Sequence, residues 1–154
     1  MKIHALIIAI FAVSIASGAF AAPDPPTDPD KDKKLEEARA AIAAENWGRA
    51  RDVLRKALRG EPRNAEYHNL YAYAMRKGER PAMDLVFRHY HEALRLRPDH
   101  RGAHEYLGEA YLMTGNLAKA REHLAVLERL CGSCDEQAKL SQAISTAERQ
   151  SAAK

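Results

Sequence analysis

Beyond its first 21 residues this chain of 154 has no apolar run long enough to span a bilayer, and it has only two cysteines. It has no Gly-rich phosphate loop, no GxSxG turn and no HExxH helix, which removes the common phosphate cradles, serine elbows and zinc hydrolases. No strand pattern of alternating apolar and polar residues is present either. A dominant charge is also missing. With Lys2 set aside from 24 Lys and Arg, the remaining 23 face 21 Asp and Glu. Arg88, Arg95, Arg97 and Arg101 cluster, but Glu92, Asp99 and Glu105 lie among them, so nucleic acid is not an expected partner.

The N-terminus carries the one long apolar stretch. Lys2 precedes an uncharged run from Ile3 through Ile15 and small residues ending Ala19-Phe20-Ala21, the pattern of a secretory signal peptide cut after Ala21. An uncleaved membrane anchor is the alternative reading. Residues 22–32, with Pro23-Asp24-Pro25-Pro26-Thr27-Asp28-Pro29-Asp30, have nothing apolar to pack and are expected to be a disordered tether. One domain at 33–150 remains. Export is therefore expected, most simply to a Gram-negative periplasm, with no membrane span in the mature chain.

What the chain does have is a helix-pair pattern recurring at about 34 residues. Leu107, Gly108 and Tyr111 fall on one helical face, Gly115 and Asn116 turn the chain, and Ala120, Leu124 and Leu127 line the face of a returning helix. The returning pattern also stands as Trp47, Ala50, Leu54, Ala57 and Leu58, closed by Pro62, and as Tyr90, Ala93 and Leu94, closed by Pro98. Aligning Leu70-Tyr71 with Leu107-Gly108 gives a step of 37 residues, with a ring in place of the glycine and the extra residues in a longer turn from Lys77 to Pro81. Pro81 is then expected to open the next helix.

These residues resemble the tetratricopeptide repeat, whose helix pairs stack into a right-handed superhelix. The resemblance implies an all-α solenoid of three units at about 33–64, 65–98 and 101–134, followed by a capping helix at about 135–149. In that family a partner peptide or helix lies in a concave surface lined by the first helix of each unit. Carried over by position, the groove is expected to comprise His68, Ala72, Met75 and Arg76 from the second unit, with Glu105, Glu109, Leu112 and Met113 from the third. The implied function is a non-enzymatic scaffold or adaptor for a protein partner, with no cofactor. The edges of such a stack can pair, so oligomeric state stays open.

Cys131 and Cys134 form a CxxC where the third unit would close with proline, with Gly132 between them. In an oxidising compartment they are expected to pair as a local disulfide. A thiol oxidoreductase is the sharper alternative, because a helix start lowers a thiol pKa. Histidines offer a third reading. His100 and His104 stand four apart and could hold copper or zinc if they shared a helix face; zinc at the CxxC would need two further ligands.

Overall fold

A computed structural model describes residues 29–153. The expected signal peptide and residues 22–28 of the expected tether lie outside them. Seven helices follow: α1 (Pro29–Ala43), α2 (Trp47–Gly60), α3 (Ala65–Arg76), α4 (Met83–Leu96), α5 (Arg101–Met113), α6 (Leu117–Cys131) and α7 (Asp135–Ala152). Among the described residues there is no strand. α1 takes in residues 29–32, which the sequence assigned to the tether, and α4 begins after Pro81, with Ala82 in the capping position.

Local chemistry sets the helix starts. Asn46, Asn64 and Asn116 each accept a hydrogen bond from the backbone N–H three residues on, at 3.0, 3.2 and 3.1 Å. His100 does the same for α5 through Nδ1, accepting from Ala103 N at 3.4 Å. Asn116 is thus a helix cap with φ −91°, and the left-handed residue of that turn is Gly115 alone, at φ +76°. The first unit makes the equivalent turn with Glu45, which sits at φ +52° before its own Asn46. A side chain is strained there where glycine is not.

Packing repeats down the stack. Each odd-numbered helix lies against the next: α1 on α3, α3 on α5, α5 on α7. Among the described residues α2, α4 and α6 do not touch one another. The odd helices therefore form a continuous inner wall, the even ones an outer layer that is splayed, and the stack bends around the wall. Each junction has its own apolar cluster: Ala38, Leu54, Tyr67 and Leu70 at the first, Ala72, Val86, Tyr90 and Leu107 at the second, Ala120, Leu127, Leu140 and Ile144 at the third.

α7 occupies the place of a fourth unit's first helix. A Cβ on Gly108 would lie 2.6 Å from Leu140 Cδ2, so the close approach that this glycine permits is to α7 rather than to its own partner α6.

The second unit corrects the sequence register. Pro62 and Pro98, the caps Asn64 and His100, and His68 and His104 are all 36 residues apart and occupy equivalent positions, so Ala72 stands where Gly108 does. Ala72 is fully buried in the tight junction, and no ring intervenes at that point.

Candidate functional site

The 36-residue step fixes which side chains share the inner wall. Asn69 and Tyr73 on α3 correspond to Glu105 and Glu109 on α5, each pair spaced by one helical turn. A cleft of about 630 Å³ opens on this wall, bounded by Arg39 and Ile42 of α1, Glu66 and Asn69 of α3, and Gly102 and Tyr106 of α5. A second opening of about 530 Å³ follows between α5 and α7, bounded by Glu109, Leu112, Lys139 and Gln142.

Aromatic rings and one buried cation occupy the middle. Tyr73 and Tyr106 approach to 4.5 Å between centroids, and Trp47 meets Tyr73 edge-on at 6.0 Å. The Arg76 guanidinium lies 5.4 Å from the Tyr73 centroid and 6.0 Å from that of Tyr106. Arg76 donates to Glu109 at 2.5 Å and to the buried Tyr90 hydroxyl at 3.3 Å, and its contact with Met113 sulfur is 3.6 Å. Burial, with help from Glu105, pushes the Tyr106 phenol up to about 12, so it is a neutral donor or acceptor at any ordinary pH.

Glu66 ties the first three wall segments together. It accepts from Arg39 Nη2 at 2.9 Å and from His100 Nε2 at 2.9 Å, with Arg97 at 3.5 Å. Burial alone would raise its carboxyl, yet the bonds from His100 and Arg39 outweigh that and hold it below the usual range. Glu105 behaves in the opposite way. It is 4% exposed, and burial pushes its carboxyl up to about 7, with Lys139 opposing and Glu109 and Glu136 adding to the rise.

Behind the wall, the same arrangement is built twice. His68 Nε2 donates to the Pro62 carbonyl at 2.9 Å, and its Nδ1 lies 2.8 Å from His89 Nδ1. His104 repeats both contacts with Pro98 at 2.9 Å and His123 at 2.9 Å. Because the proline carbonyl can only accept, the inner histidine carries its proton on Nε2 and accepts at Nδ1. The outer histidine is therefore the Nδ1–H donor in each pair. Burial, then the neighbouring ring, depresses His89 and His123 to about 4.

The structure divides the expected groove residues. Arg76, Glu109, Leu112 and Met113 reach the wall, Met113 being 55% exposed, and Glu105 lies on it but buried. His68, Ala72 and Met75 do not. His68 bonds to α4 and the Pro62 turn, while Ala72 and Met75 belong to the apolar cluster with Val86 and Tyr90. The one-residue register slip placed them there, and the corrected step substitutes Asn69 and Tyr73. His100 and His104 also part company, one capping α5 against Glu66 and the other facing His123. Among the described residues no group of three or more His, Cys, Asp or Glu is arranged to hold a metal ion. The Cys131 and Cys134 sulfurs stand at bonding distance, 2.06 Å, with Cys134 in the capping position of α7.

Comparison with known proteins agrees with this architecture. The tetratricopeptide repeat family profile matches residues 35–82 and 88–133. No curated protein matches the sequence. Among solved structures, the chain is similar to the TPR2B domain of yeast Sti1 in complex with pHsp70, at 15% identity and TM-score 0.69, covering 80% of this chain and 99% of that one. The TPR domain of Arabidopsis OM64 is similar at 15% identity and TM-score 0.67, covering 78% and 95%. So is the Yersinia enterocolitica type III secretion chaperone SycD in complex with a peptide of the translocator YopD, at 14% identity and TM-score 0.65, covering 80% and 93%.

Proposed function

Since the chain belongs to the tetratricopeptide repeat family, we propose that it is a non-catalytic protein-binding module that holds an extended peptide or a helix of a partner along the α1–α3–α5–α7 wall. The observation that carries this reading is the wall itself. It joins two open clefts through the Tyr73 and Tyr106 rings, and it offers apolar and polar contacts side by side over four helices. Two of the similar folds were solved as complexes, one with pHsp70 and one with a peptide of YopD, which supports a binding role for a wall of this shape.

In this reading the protein is exported on its first 21 residues and works in the periplasm as an adaptor or assembly factor for an envelope complex. The Cys131–Cys134 pair is a local disulfide at the α6–α7 turn, which suits an oxidising compartment. Cell fractionation with N-terminal sequencing of the mature protein tests the location; a cytoplasmic chain beginning at Met1 contradicts it.

The binding claim is tested by cross-linking. A photoreactive residue in place of Met113 or Gln142 on the wall should yield partner adducts, and one in place of Arg88 or Arg121 on the outer layer should not. The opposite pattern overturns the assignment. A second reading, thiol exchange, draws on Cys134 at the start of α7. Insulin reduction by the reduced protein would favour it, and an inert oxidised pair would end it.

A further inference from the structure

At two places between the inner and outer helices, two nitrogen bases face each other. His68 Nδ1 stands 2.8 Å from His89 Nδ1, and His104 Nδ1 stands 2.9 Å from His123 Nδ1. In both pairs the ring centres are 5.1 Å apart, which is nearly the nitrogen–nitrogen distance plus two ring radii. The nitrogens therefore lie on the line joining the rings, and their lone-pair axes meet head-on. The ring planes are turned by 29° and 47°, a twist about that axis which leaves it intact.

The inner ring of each pair is held for one role. His68 and His104 are buried, and each gives its Nε2–H to a proline carbonyl at 2.9 Å. That bond fixes both the tautomer and the ring orientation, and it leaves Nδ1 as a bare electron pair. A backbone carbonyl on the far nitrogen is the support that metal-binding histidines ordinarily have. The outer ring completes the set. Nε2 of His89 and of His123 has no hydrogen-bond partner among the described residues and is reached by solvent. The outer ring can therefore carry its proton on Nε2 and turn a second electron pair toward the first. A hydrogen bond between two helices could be made by any hydroxyl or amide facing the inner ring. Both units instead use a second imidazole, which presents either a proton or a metal-binding electron pair at one atom.

We propose that each pair is a two-coordinate site for a monovalent closed-shell cation of the copper(I) and silver(I) class, held between the two Nδ1 atoms. The number of ligands selects the ion. Zinc takes four, and among the described residues no group of three or more His, Cys, Asp or Glu is arranged to supply them. Calcium and magnesium take oxygen. A soft monovalent ion with a filled d shell is satisfied by two nitrogens in line, and imidazole suits copper. Two metal–nitrogen bonds of about 2 Å in line need the nitrogens about 4 Å apart, so each pair must open by roughly 1 Å. The outer layer allows that movement, because α4 and α6, which carry the outer rings, do not touch each other. Binding moves the outer proton from Nδ1 to Nε2 and releases none, so each site gains one positive charge. Glu92 near His89 and Glu122 near His123 offset it, against Arg88 and Lys119. Tyr71 lies 4.8 Å from the His89 ring and Tyr111 5.7 Å from the His123 ring, so an aromatic face shields each site from bulk water. Both sites lie behind the wall, and the proposal stands or falls independently of peptide binding there.

The test is a titration of the protein with silver(I), which air does not oxidise, in chloride-free buffer. Calorimetry counts the ions, and nitrogen NMR of the imidazoles shows which atoms bind them. Wild type should take up two ions per chain, with the Nδ1 signals of His68, His89, His104 and His123 shifting and the inner Nε2 atoms remaining protonated. His89→Gln and His123→Gln keep a donor to the inner ring but lose a ligand. Each should take up one ion, with the remaining pair binding within about twofold of its wild-type affinity, because the pairs lie in different units. The double variant should take up none. Silver that leaves the four Nδ1 signals in wild type unmoved overturns the proposal without recourse to any variant, as does an unchanged ion count in the double variant. Zinc binding to the same nitrogens in the same ratio overturns the two-coordinate assignment.

Discussion

The two histidine pairs make acid a selective destabiliser of this fold. The outer rings, His89 and His123, take up protons only near pH 4 in the folded protein, against 6.5 for an ordinary histidine. A depressed histidine has no effect while both states are neutral. As the pH falls below about 6.5 the unfolded chain binds protons that the folded chain refuses, and stability is lost until the pH reaches about 4. At pH 5 that difference is about 2 kcal/mol per ring, and solvent screening of half-buried rings reduces it to about 1 kcal/mol each. The two pairs lie in different units and should add, giving about 2 kcal/mol in total between pH 8 and pH 5.

Glu105 works in the other direction. Its carboxyl is raised to about 7, so lowering the pH relieves a folded-state cost and partly masks the histidine loss in the wild-type profile. The informative quantity is therefore a difference between proteins. In His89→Gln/His123→Gln the amide still donates to His68 or His104 but cannot titrate. Urea melts at pH 8 and pH 5 should show the double variant losing about 2 kcal/mol less than wild type, and thermal melts should show it losing about 6 to 10 °C less in Tm. Equal losses in the two proteins would refute the pairing as the source of the acid sensitivity.

Three further outcomes follow from particular contacts. Gly108→Ala puts a methyl 2.6 Å from the fully buried Leu140, so the gain of about 1 kcal/mol in helix propensity should be outweighed by about 2 kcal/mol of overpacking, with faster hydrogen exchange in α7. Glu45→Gly should stabilise the protein by about 0.5 to 1 kcal/mol in thermal melts, because Glu45 holds the left-handed conformation that Gly115 supplies in the third unit. Arg76→Met strands the buried Tyr90 hydroxyl and the partly exposed Glu109, and should cost about 2 to 4 kcal/mol in chemical denaturation; adding Glu109→Gln should return about half, as a double-mutant cycle would show.

How much of this was legible in the sequence differs from unit to unit for physical reasons. The third unit announces itself because Leu107, Gly108, Tyr111 and Ala120 each meet a steric demand, a small residue where helices touch and a large one in the gap between them. The second unit misleads because Leu70-Tyr71 imitates Leu107-Gly108 one residue out of register. The better anchors were Pro62 and His68 against Pro98 and His104, since a proline and a histidine six residues later recur with the same carbonyl contact. Pairing of the histidines could not be read from spacing: the partners are 21 residues apart in one unit and 19 in the other, because the α3–α4 turn is longer. Nor could the burial of Glu105. On α5 alone it belongs to a polar face, and α3 and α7 pack on either side of that helix in the stack.

The claim on which the rest depends is that partners lie along the odd-numbered helices. Hydrogen exchange of the protein with and without a selected peptide measures this directly. Slower exchange should be confined to the wall helices α1, α3, α5 and α7, with α2, α4 and α6 unchanged. Protection centred on α4 or α6 would contradict the account.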